Sequence, residues 1–297
     1  MTELATATPV TLREAIQRTA AQFEAAELCF GHGTDNSWDE AVYLLLTLSG
    51  LDDDEAVLDR PLDPVLWSEA RAIAARRITE RVPLAYLLHR CRYLGLEFHV
   101  EPGLVVPRSP LGPLLVEQAE ALLPRAPRRV LDLCAGTGCL GIVAGLLFPD
   151  CEVTLCELDP RAVAVARLNL REHGLQQRAE VLEGDVRALV ATLGQFDLVL
   201  CNPPYVNAAD MAALPPEFRA EPATGLGAGD DGLAVISPVL EALNHLLSAG
   251  GTFLGEVGHS RPALAARHRA LPLRWLDEEF EGLDGVFLLQ AAALPTR

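Results

Sequence analysis

The spacing of the apolar positions changes after about residue 88 of the chain. Between Thr11 and Leu88 they recur every three or four residues, as in amphipathic helices, and glycine-rich or acidic breaks separate the segments. This pattern predicts helices over Leu12 to Ala26, Trp38 to Leu48 and Pro64 to Thr79. Strand-like alternation is missing from this part of the sequence, so we expect a helical N-terminal region.

The pattern changes near Pro83 and again near Arg129. Cys91 to Val106 carries spaced aromatic residues and a turn sequence at Glu101-Pro102-Gly103, which together predict a β-hairpin. From Arg129 onward, short apolar runs alternate with helical segments, as is typical of βαβ units. We therefore predict a helical domain at 1–88, a hairpin linker at 89–109 and an α/β domain at 110–297.

The α/β part is predicted to form a doubly wound sheet of about seven strands with helices on both faces. The predicted strands are Val130 to Leu133, Glu152 to Cys156, Ala179 to Leu182, Phe196 to Cys201, Thr252 to Val257, Pro272 to Leu276 and Val286 to Leu289. The predicted helices are Leu140 to Phe148, Arg161 to His173, Val186 to Leu193, Gly232 to Leu247 and Arg261 to Arg269. Ligands of such sheets bind at the carboxyl ends of the strands, so candidate chemistry is expected there.

Composition removes several classes of function. All 24 basic residues are arginine, and 41 acidic residues give a net charge of −17. Without lysine the chain has no amine for a Schiff base, for pyridoxal chemistry or for a Walker-type phosphate loop. The acidic excess argues against a surface that follows a nucleic-acid backbone, so we expect no direct DNA partner. A basic partner fits this charge better.

Cysteine, histidine and leader patterns exclude further classes. The seven cysteines form no C-x-x-C pair, and the seven histidines have no metal-ligand spacing, so we expect neither a disulfide framework nor a bound metal. The first ten residues resemble no secretory leader, and no apolar run approaches the ~18 residues of a membrane span. We expect a cytoplasmic protein without a membrane partner.

Acidic residues and glycines follow successive predicted strands. The first strand leads into Asp132-Leu133-Cys134-Ala135-Gly136-Thr137-Gly138, where glycines allow close approach of a ligand and the next helix offers its N-terminal amides. Such a turn fits a dinucleotide as well as other nucleosides. Glu157 ends the second strand, where an acid can accept hydrogen bonds from two ribose hydroxyls. Asp185 follows the third strand, where it could bind an adenine amine, and Asp132 is a candidate for the far end of the ligand or for positioning the loop.

The fourth predicted strand runs into Asn202-Pro203-Pro204-Tyr205. The two prolines fix the backbone and lack N–H donors, which leaves acceptors facing the crevice. With the side-chain oxygen of Asn202 and the carbonyl of Pro203, this tetrapeptide suits a planar NH2 group, and Tyr205 can stack on it or wall it off. We therefore predict that the tetrapeptide is the catalytic centre.

Together these motifs resemble the class I S-adenosylmethionine-dependent methyltransferases that modify planar amino groups. The helical region, the segment Pro107-Arg108-Ser109-Pro110 and the long segment 214–233 narrow the resemblance to the protein-(glutamine-N5) methyltransferases over nearly the full length. The resemblance implies that residues 110–297 form the methyltransferase domain and that residues 1–88 recognise the substrate. It implies S-adenosylmethionine as cofactor, bound by Asp132, Cys134, Gly136, Gly138, Glu157, Asp185 and Asn202. It implies a substrate amide held by Asn202, Pro203 and Tyr205, with Arg108 and Ser109 contacting the substrate or tying the hairpin to the sheet.

Two branches of that family differ at the Pro107-Arg108-Ser109-Pro110 segment. The sequence there is similar to the branch that modifies a glutamine of large-subunit ribosomal protein three, whereas the release-factor branch usually reads Pro-Arg-Pro-Asp-Thr-Glu. Cys134 and the Glu-Phe-Arg-x-Glu-Pro run at 217–222 point to the same branch. Two positions depart from the family pattern: Leu111-Gly112-Pro113 lacks the usual acid, and His259-Ser260 stands where a glutamine is often found.

Three alternatives remain open from the sequence. The first is the release-factor branch. The second is a DNA or RNA adenine-amino methyltransferase, which uses a similar clamp on a flipped base but should carry a basic groove or an inserted recognition domain. The third is a cofactor-binding ribosome assembly factor without catalysis, a role that does not require the intact tetrapeptide. We expect the ribosomal-protein branch, whose substrate would be the basic partner.

Overall fold

A computed structural model describes residues 10–52 and 54–295 of the 297-residue chain. The described residues form two compact units. The first comprises the residues up to Cys91 together with Pro215–Ala220, and the second comprises Arg92–Leu214 and the residues from Glu221 onward. The functional domains predicted at 1–88, 89–109 and 110–297 remain predictions. Residues 1–9, at the start of the first of them, lie outside the described part. The compact units divide the chain differently, because a short segment far along the sequence folds with the first unit.

The first unit is helical, as predicted. Its helices are α1 (Leu12–Ala25), α2 (Ser37–Ser49), α3 (Pro64–Glu80) and α4 (Leu84–Leu88). Thr11, Asn36 and Asp63 accept backbone N–H donors at the starts of the first three helices, as helix N-caps do. The buried faces of α1, α2 and α3 pack together around a core that includes Ile16, Phe23, Leu44, Leu45 and Trp67.

The segment Pro215–Ala220 completes the first unit through Glu217. The Glu217 side chain is fully buried, and its Oε1 atom lies 3.0 Å from Nε of Arg81 and 3.6 Å from Nη1 of Arg77. The same oxygen accepts the backbone N–H of Cys29 at 3.1 Å. Arg77, also fully buried, donates from Nε to Oε1 of Glu40 at 2.6 Å. Two carboxylates and two guanidinium groups therefore share one buried cluster.

A two-stranded hairpin follows, made of β1 (Arg90–Tyr93) and β2 (Leu96–His99). The predicted hairpin is confirmed, but the prediction that it turns at Glu101-Pro102-Gly103 is wrong. The connection is Leu94-Gly95, and both residues have positive φ, 52° and 75°. Two consecutive left-handed residues form the tight turn that matches the twist of paired strands. Leucine is a poor marker of such a turn, which is why the sequence pattern favoured the Pro-Gly site.

The second unit contains a seven-stranded sheet within the described residues. The strands are β3 (Arg129–Leu133), β4 (Glu152–Glu157), β5 (Ala179–Glu183), β6 (Phe196–Cys201), β7 (Leu247–Glu256), β8 (Arg274–Trp275) and β9 (Val286–Gln290). They lie in the order β5-β4-β3-β6-β7-β9-β8. β3 to β7 run parallel, whereas β9 is antiparallel to both β7 and β8. The predicted α/β doubly wound fold is thus confirmed.

Helices cover both faces of this sheet. The helices are α5 (Leu111–Leu122), α6 (Cys139–Leu147), α7 (Pro160–Glu172), α8 (Val186–Leu189), α9 (Ala208–Ala213), α10 (Ala223–Leu226), α11 (Ile236–Leu246) and α12 (Arg261–Arg267). Val130 of β3 belongs to the core under α5, α6 and α7, whereas its neighbour Leu131 belongs to the core under α8, α11 and α12. Because both faces are buried, the central strands read as continuous apolar runs.

Candidate active site

The predicted site residues lie at the carboxyl ends of adjacent strands. In the sheet order, β3 pairs with β4 on one side and with β6 on the other, so the connections diverge at β3. A crevice forms at such a switch point, outside the strand ends. The glycine-rich turn after β3 and the Asn202 tetrapeptide after β6 border this crevice. Glu157 and Asp185 follow the next two strands on the other side.

The glycine-rich turn is built from left-handed residues. Cys134, Gly136 and Gly138 have φ values of 58°, 56° and 86°. A Cβ atom on Gly136 would meet no atom within 4 Å, whereas one on Gly138 would lie 3.0 Å from Leu155. Gly138 is therefore needed for packing of the turn against β4, and Gly136 leaves open space on the ligand side. Cys134 contacts Cys201, and this hydrogen bond together with burial raises the pKa of the Cys134 thiol.

Glu157 holds the turn from the neighbouring strand. Its Oε2 atom accepts the Gly136 N–H at 2.7 Å, and its Oε1 atom accepts the N–H groups of Leu158 and Asp159, each at 2.8 Å. These contacts fix the carboxylate at the end of β4. The position is the one from which an acid reaches the ribose of a nucleoside ligand.

Asp132 is buried beneath the same turn. Its Oδ2 atom accepts the N–H of Gly141 at 2.7 Å, while Oδ1 has no hydrogen-bond partner among the described residues. Burial raises the pKa of Asp132 to about 7, and the nearby charge of Glu157 adds to this, against the Gly141 hydrogen bond. A buried oxygen without a partner is costly, and a cationic or donor group of a ligand would supply one.

Asp185 starts helix α8 after β5. Its carboxylate accepts the backbone N–H of Arg187 at 2.9 Å and pairs with the Arg187 guanidinium. The hydrogen bond from Arg187 lowers the pKa of Asp185. The structure therefore places this ionised acid at the predicted strand end, where its carboxylate is already paired with Arg187.

The Asn202-Pro203-Pro204-Tyr205 segment presents free acceptors. Among the described residues, no donor forms a hydrogen bond with the Asn202 side chain or the Pro203 carbonyl. Pro203 is buried and Asn202 is half-buried. Two acceptors held at the switch point by a rigid backbone can hold the two hydrogens of a planar NH2 group.

Tyr205 is fixed at both ends. Its hydroxyl donates to Oε1 of Glu256 at 2.8 Å, and its carbonyl accepts the Ser260 hydroxyl at 2.7 Å. Burial, together with the negative charge of Glu256, raises the pKa of the Tyr205 hydroxyl well above its ordinary value. A Cβ atom on Gly258 would lie 2.8 Å from the Tyr205 ring, so the ring packs directly on that backbone.

Arg108 and Ser109 both make contacts within the second unit. Arg108 donates two hydrogen bonds of 2.6 Å to the carboxylate of Glu221, which also accepts the N–H of Val106. Ser109 is buried, and its hydroxyl donates to Oε2 of Glu256 at 2.7 Å. These contacts tie the segment to the sheet. A contact of either residue with a substrate remains a prediction.

Sequence reasoning gave no role to Glu256, and it considered Glu221 only as a residue that shapes the substrate loop or is solvated. Glu256 ends β7, the strand next to β6, and so follows the rule that placed the other acids. Strand-end position was thus a usable signal for Glu256. Glu221 lies in a loop, and its pairing with Arg108 across 113 residues has no local signal.

Comparison with known proteins decides the family. A family model described as "Methyltransferase small domain" matches residues 113–244. The ribosomal protein uL3 glutamine methyltransferase of Bordetella pertussis is 40% identical over 291 residues, which cover 96% of this chain and 97% of that protein. The chain belongs to the ribosomal protein uL3 glutamine methyltransferase family. The Burkholderia pseudomallei protein of the same name is 39% identical over 298 residues, 96% of either chain.

Membership of this methyltransferase family confirms the resemblance inferred from the sequence, and the chain is an enzyme. Among solved structures, the methyltransferase resembles the hMettl16 catalytic domain in complex with the MAT2A 3'UTR hairpin 1. That likeness has a TM-score of 0.49 and 17% identity and covers 83% of this chain and 88% of that one. No described helix of the methyltransferase is long and apolar enough to cross a bilayer. The individual cofactor and substrate contacts stay predictions.

Proposed function

We propose that this enzyme transfers the methyl group of S-adenosylmethionine to the side-chain amide nitrogen, N5, of a glutamine in ribosomal protein uL3. The observation that carries the proposal is the pair of unpartnered acceptors at Asn202 and Pro203, beside the open glycine turn. A primary amide offers two N–H donors in one plane, which is what such a pair can hold. The names of the relatives support uL3 as the protein that carries the glutamine.

The residues of the turn fit S-adenosylmethionine. Gly136 leaves open space, Glu157 offers a carboxylate for the ribose, and Asp132 has a buried oxygen to receive a donor at the amino-acid end. Asp185 follows the next strand, and its carboxylate would accept the adenine amine. When bound, the cofactor supplies an electrophilic sulfonium methyl group.

The amide nitrogen is a poor nucleophile because its lone pair is delocalised into the carbonyl. The enzyme therefore acts mainly by alignment, which can supply much of the reduction of the barrier. Asn202 and Pro203 hold the NH2 plane, and their oxygens favour the positive charge that grows on nitrogen in the transition state. Tyr205 borders the amide. No strong base is required, because the methylated nitrogen is acidic and loses its proton to water or a nearby acceptor.

The charge of the enzyme fits the proposed substrate. A chain with a net charge of −17 attracts a basic ribosomal protein over distances longer than direct contacts. We propose that the encounter takes place in the cytoplasm, where ribosomal proteins are available. Arg108 and Ser109 remain candidate contacts for the substrate.

Asn202→Ala tests the proposal. Wild-type enzyme and variant are incubated with isotope-labelled S-adenosylmethionine and either purified uL3 or a release factor, and mass spectrometry locates the labelled residue. We expect wild-type enzyme to label one uL3 glutamine. Loss of an acceptor used in the transition state should lower kcat by about a hundredfold or more, whereas calorimetry should show a much smaller loss of cofactor affinity.

Asn244→Ala, an exposed change on α11, is the matched control and should retain full activity. Labelling of the release factor instead of uL3 would overturn the substrate assignment. An unchanged kcat in Asn202→Ala would overturn the role of the acceptor pair.

A further inference from the structure

Glu256 is a buried acid at the active site that the proposed mechanism leaves without a role. It is the last residue of β7, and only 6% of its surface is exposed. β7 pairs with β6 in parallel, and Gly255 is in register with Cys201. Asn202 directly follows Cys201, the last residue of β6, so Glu256 and the tetrapeptide lie at the carboxyl ends of neighbouring strands.

Each carboxylate oxygen of Glu256 receives a different hydroxyl. Oε1 accepts from Tyr205 at 2.8 Å and Oε2 accepts from Ser109 at 2.7 Å. A carboxylate that accepts at both oxygens is matched to its ionised form, since a protonated acid must donate from one of them. Burial raises the pKa of Glu256, while the two hydroxyl donors and the charge of Arg108 lower it.

The two residues that supply these hydroxyls are themselves constrained. The backbone of Gly258 packs on the Tyr205 ring, and the Tyr205 carbonyl is held by Ser260. The carbonyl of Ser109 accepts the Tyr93 hydroxyl at 2.5 Å. Glu256 thus links the ring that borders the amide to the segment at the start of α5.

We infer that Glu256 is a positioning residue for methyl transfer: through its hydrogen bond it sets the orientation of the Tyr205 ring against the substrate amide. The inference rests on the proposed function, in which Tyr205 borders that amide. Alignment supplies most of the rate in this mechanism, and small misplacements of positioning groups cost up to about a hundredfold. Glu256 holds the Tyr205 hydroxyl by a hydrogen bond, and the Tyr205 ring, oriented in this way, borders the amide.

The test compares Glu256→Gln, Tyr205→Phe and the double variant. Both single changes disrupt the same hydrogen bond, so each should lower kcat by about tenfold to a hundredfold with nearly unchanged cofactor affinity and substrate KM. Because both single changes act on one hydrogen bond, their effects should not add. The kcat of the double variant should equal that of the less active single variant within about twofold. Glu180→Gln, which alters a carboxylate–hydroxyl contact to Thr154 on β5 and β4, should leave kcat unchanged.

Fluorine NMR of meta-fluorotyrosine-labelled enzyme provides a readout that loss of folding would not mimic. The chain has four tyrosines, and Tyr205→Phe identifies the Tyr205 resonance. We expect Glu256→Gln to shift that resonance and Glu180→Gln to leave it in place. An unmoved Tyr205 resonance, or a double variant whose losses multiply, would overturn the inference.

The two proposals fail separately. If wild-type enzyme leaves uL3 unmodified, the proposed function is wrong, and the NMR comparison still decides whether Glu256 orients Tyr205. If uL3 is methylated normally by Glu256→Gln, the positioning role is wrong and the proposed function stands.

Discussion

The Glu157 carboxylate accepts backbone hydrogen bonds from two loops. It accepts the backbone N–H of Gly136 with one oxygen and the N–H groups of Leu158 and Asp159 with the other. A carboxylate has about four acceptor sites, so capacity remains for a ribose hydroxyl. Removing the side chain would release the glycine turn and remove a cofactor contact at the same time.

Glu157→Ala should therefore weaken S-adenosylmethionine binding. Hydrogen bonds to a charged group are worth about 1.5–3 kcal/mol each, so we expect the Kd from calorimetry to rise by about tenfold to a hundredfold. The matched control is Glu183→Ala, because Glu183 is the register partner of Glu157 on β5 and is exposed. Equal affinities for both variants would remove Glu157 from the cofactor site.

Asp132 makes the stability of the enzyme depend on pH. The ordinary pKa of this carboxyl is 3.8, and burial raises it to about 7 in the folded chain. Between these values the folded state binds more protons than the unfolded state, so this group makes stability fall as pH rises. The loss should amount to about 1.4 kcal/mol for each pH unit within that interval and be complete above it.

Asp132→Asn removes this titration and keeps a side-chain acceptor for Gly141. We expect the free energy of unfolding of the variant, relative to wild type, to increase between pH 5 and pH 7 in urea titrations of the cofactor-free proteins. Only the change with pH is diagnostic, because the substitution also alters packing. A difference that stays constant over this range would contradict the raised pKa.

At the scale of elements, the start of α5 packs against the hairpin at Gly112. A Cβ atom there would lie 1.9 Å from the Tyr93 hydroxyl oxygen, which in turn donates to the Ser109 carbonyl. Tyr93 is buried, so it has little room to move. The absence of a side chain at Gly112 is therefore a condition for the contact between β1 and α5.

Gly112→Ala should destabilise the protein although alanine is the better helix former. The overpacking cost is about 1–3 kcal/mol and outweighs the gain of about 0.5–1 kcal/mol in helix propensity. Gly194→Ala is the control, because a Cβ atom there makes only ordinary contact with Arg129 at 3.4 Å. Chemical denaturation should show a loss for Gly112→Ala alone, and similar values for both variants would contradict the packing argument.

The elements that could be predicted well from the sequence are those recognisable from a short run of consecutive residues. The central strands β3, β4 and β6 agree closely with the predicted runs because burial on both faces makes them continuously apolar. β7 begins five residues before the predicted run, and β8 comprises two of the five predicted residues. Helix α5 was not predicted. Its first turn contains Gly112 and Pro113, both poor helix formers, although proline is tolerated in a first helical turn whose N–H groups need no partner. The hairpin turn was misplaced because Leu94 adopts a left-handed conformation, and leucine in a sequence does not indicate that conformation.

The same distinction applies to the site. Acids and glycines at strand ends were predictable because strand order brings them to one edge. The contacts of Glu256 with Tyr205 and Ser109 were not, since they span 51 and 147 residues. Such pairs depend on how distant strands and loops pack, which no local pattern encodes.

At the scale of the whole molecule, the first unit depends on a residue from far along the chain. Glu217 brings its buried carboxylate to Arg77 and Arg81. Removal of one partner from a buried ionic cluster leaves uncompensated charge, which costs about 3–5 kcal/mol. The stability of the helical unit is therefore tied to the segment that follows α9.

Glu217→Gln should destabilise the first unit selectively. We expect a loss of about 3–5 kcal/mol and faster hydrogen exchange in peptides from α3, measured by mass spectrometry on the full-length enzyme. Glu80→Gln breaks the exposed pair with Arg76 on the same helix and should leave stability nearly unchanged, because solvent screens exposed pairs. Unchanged exchange in α3 of Glu217→Gln would show that the cluster does not hold the unit.

The placement of Pro215–Ala220 also limits how this enzyme can be recombined with its relatives. The chain passes from one unit to the other at three points, after Cys91, Leu214 and Ala220. A chimera that exchanges only the N-terminal ninety or so residues would pair Arg77 and Arg81 with the residue that the other parent carries at the position of Glu217. Unless that residue is a carboxylate, the exchange would leave a buried unpaired charge. The helical unit is built from two separate segments of the chain, so an exchange that preserves its ionic cluster must transfer both.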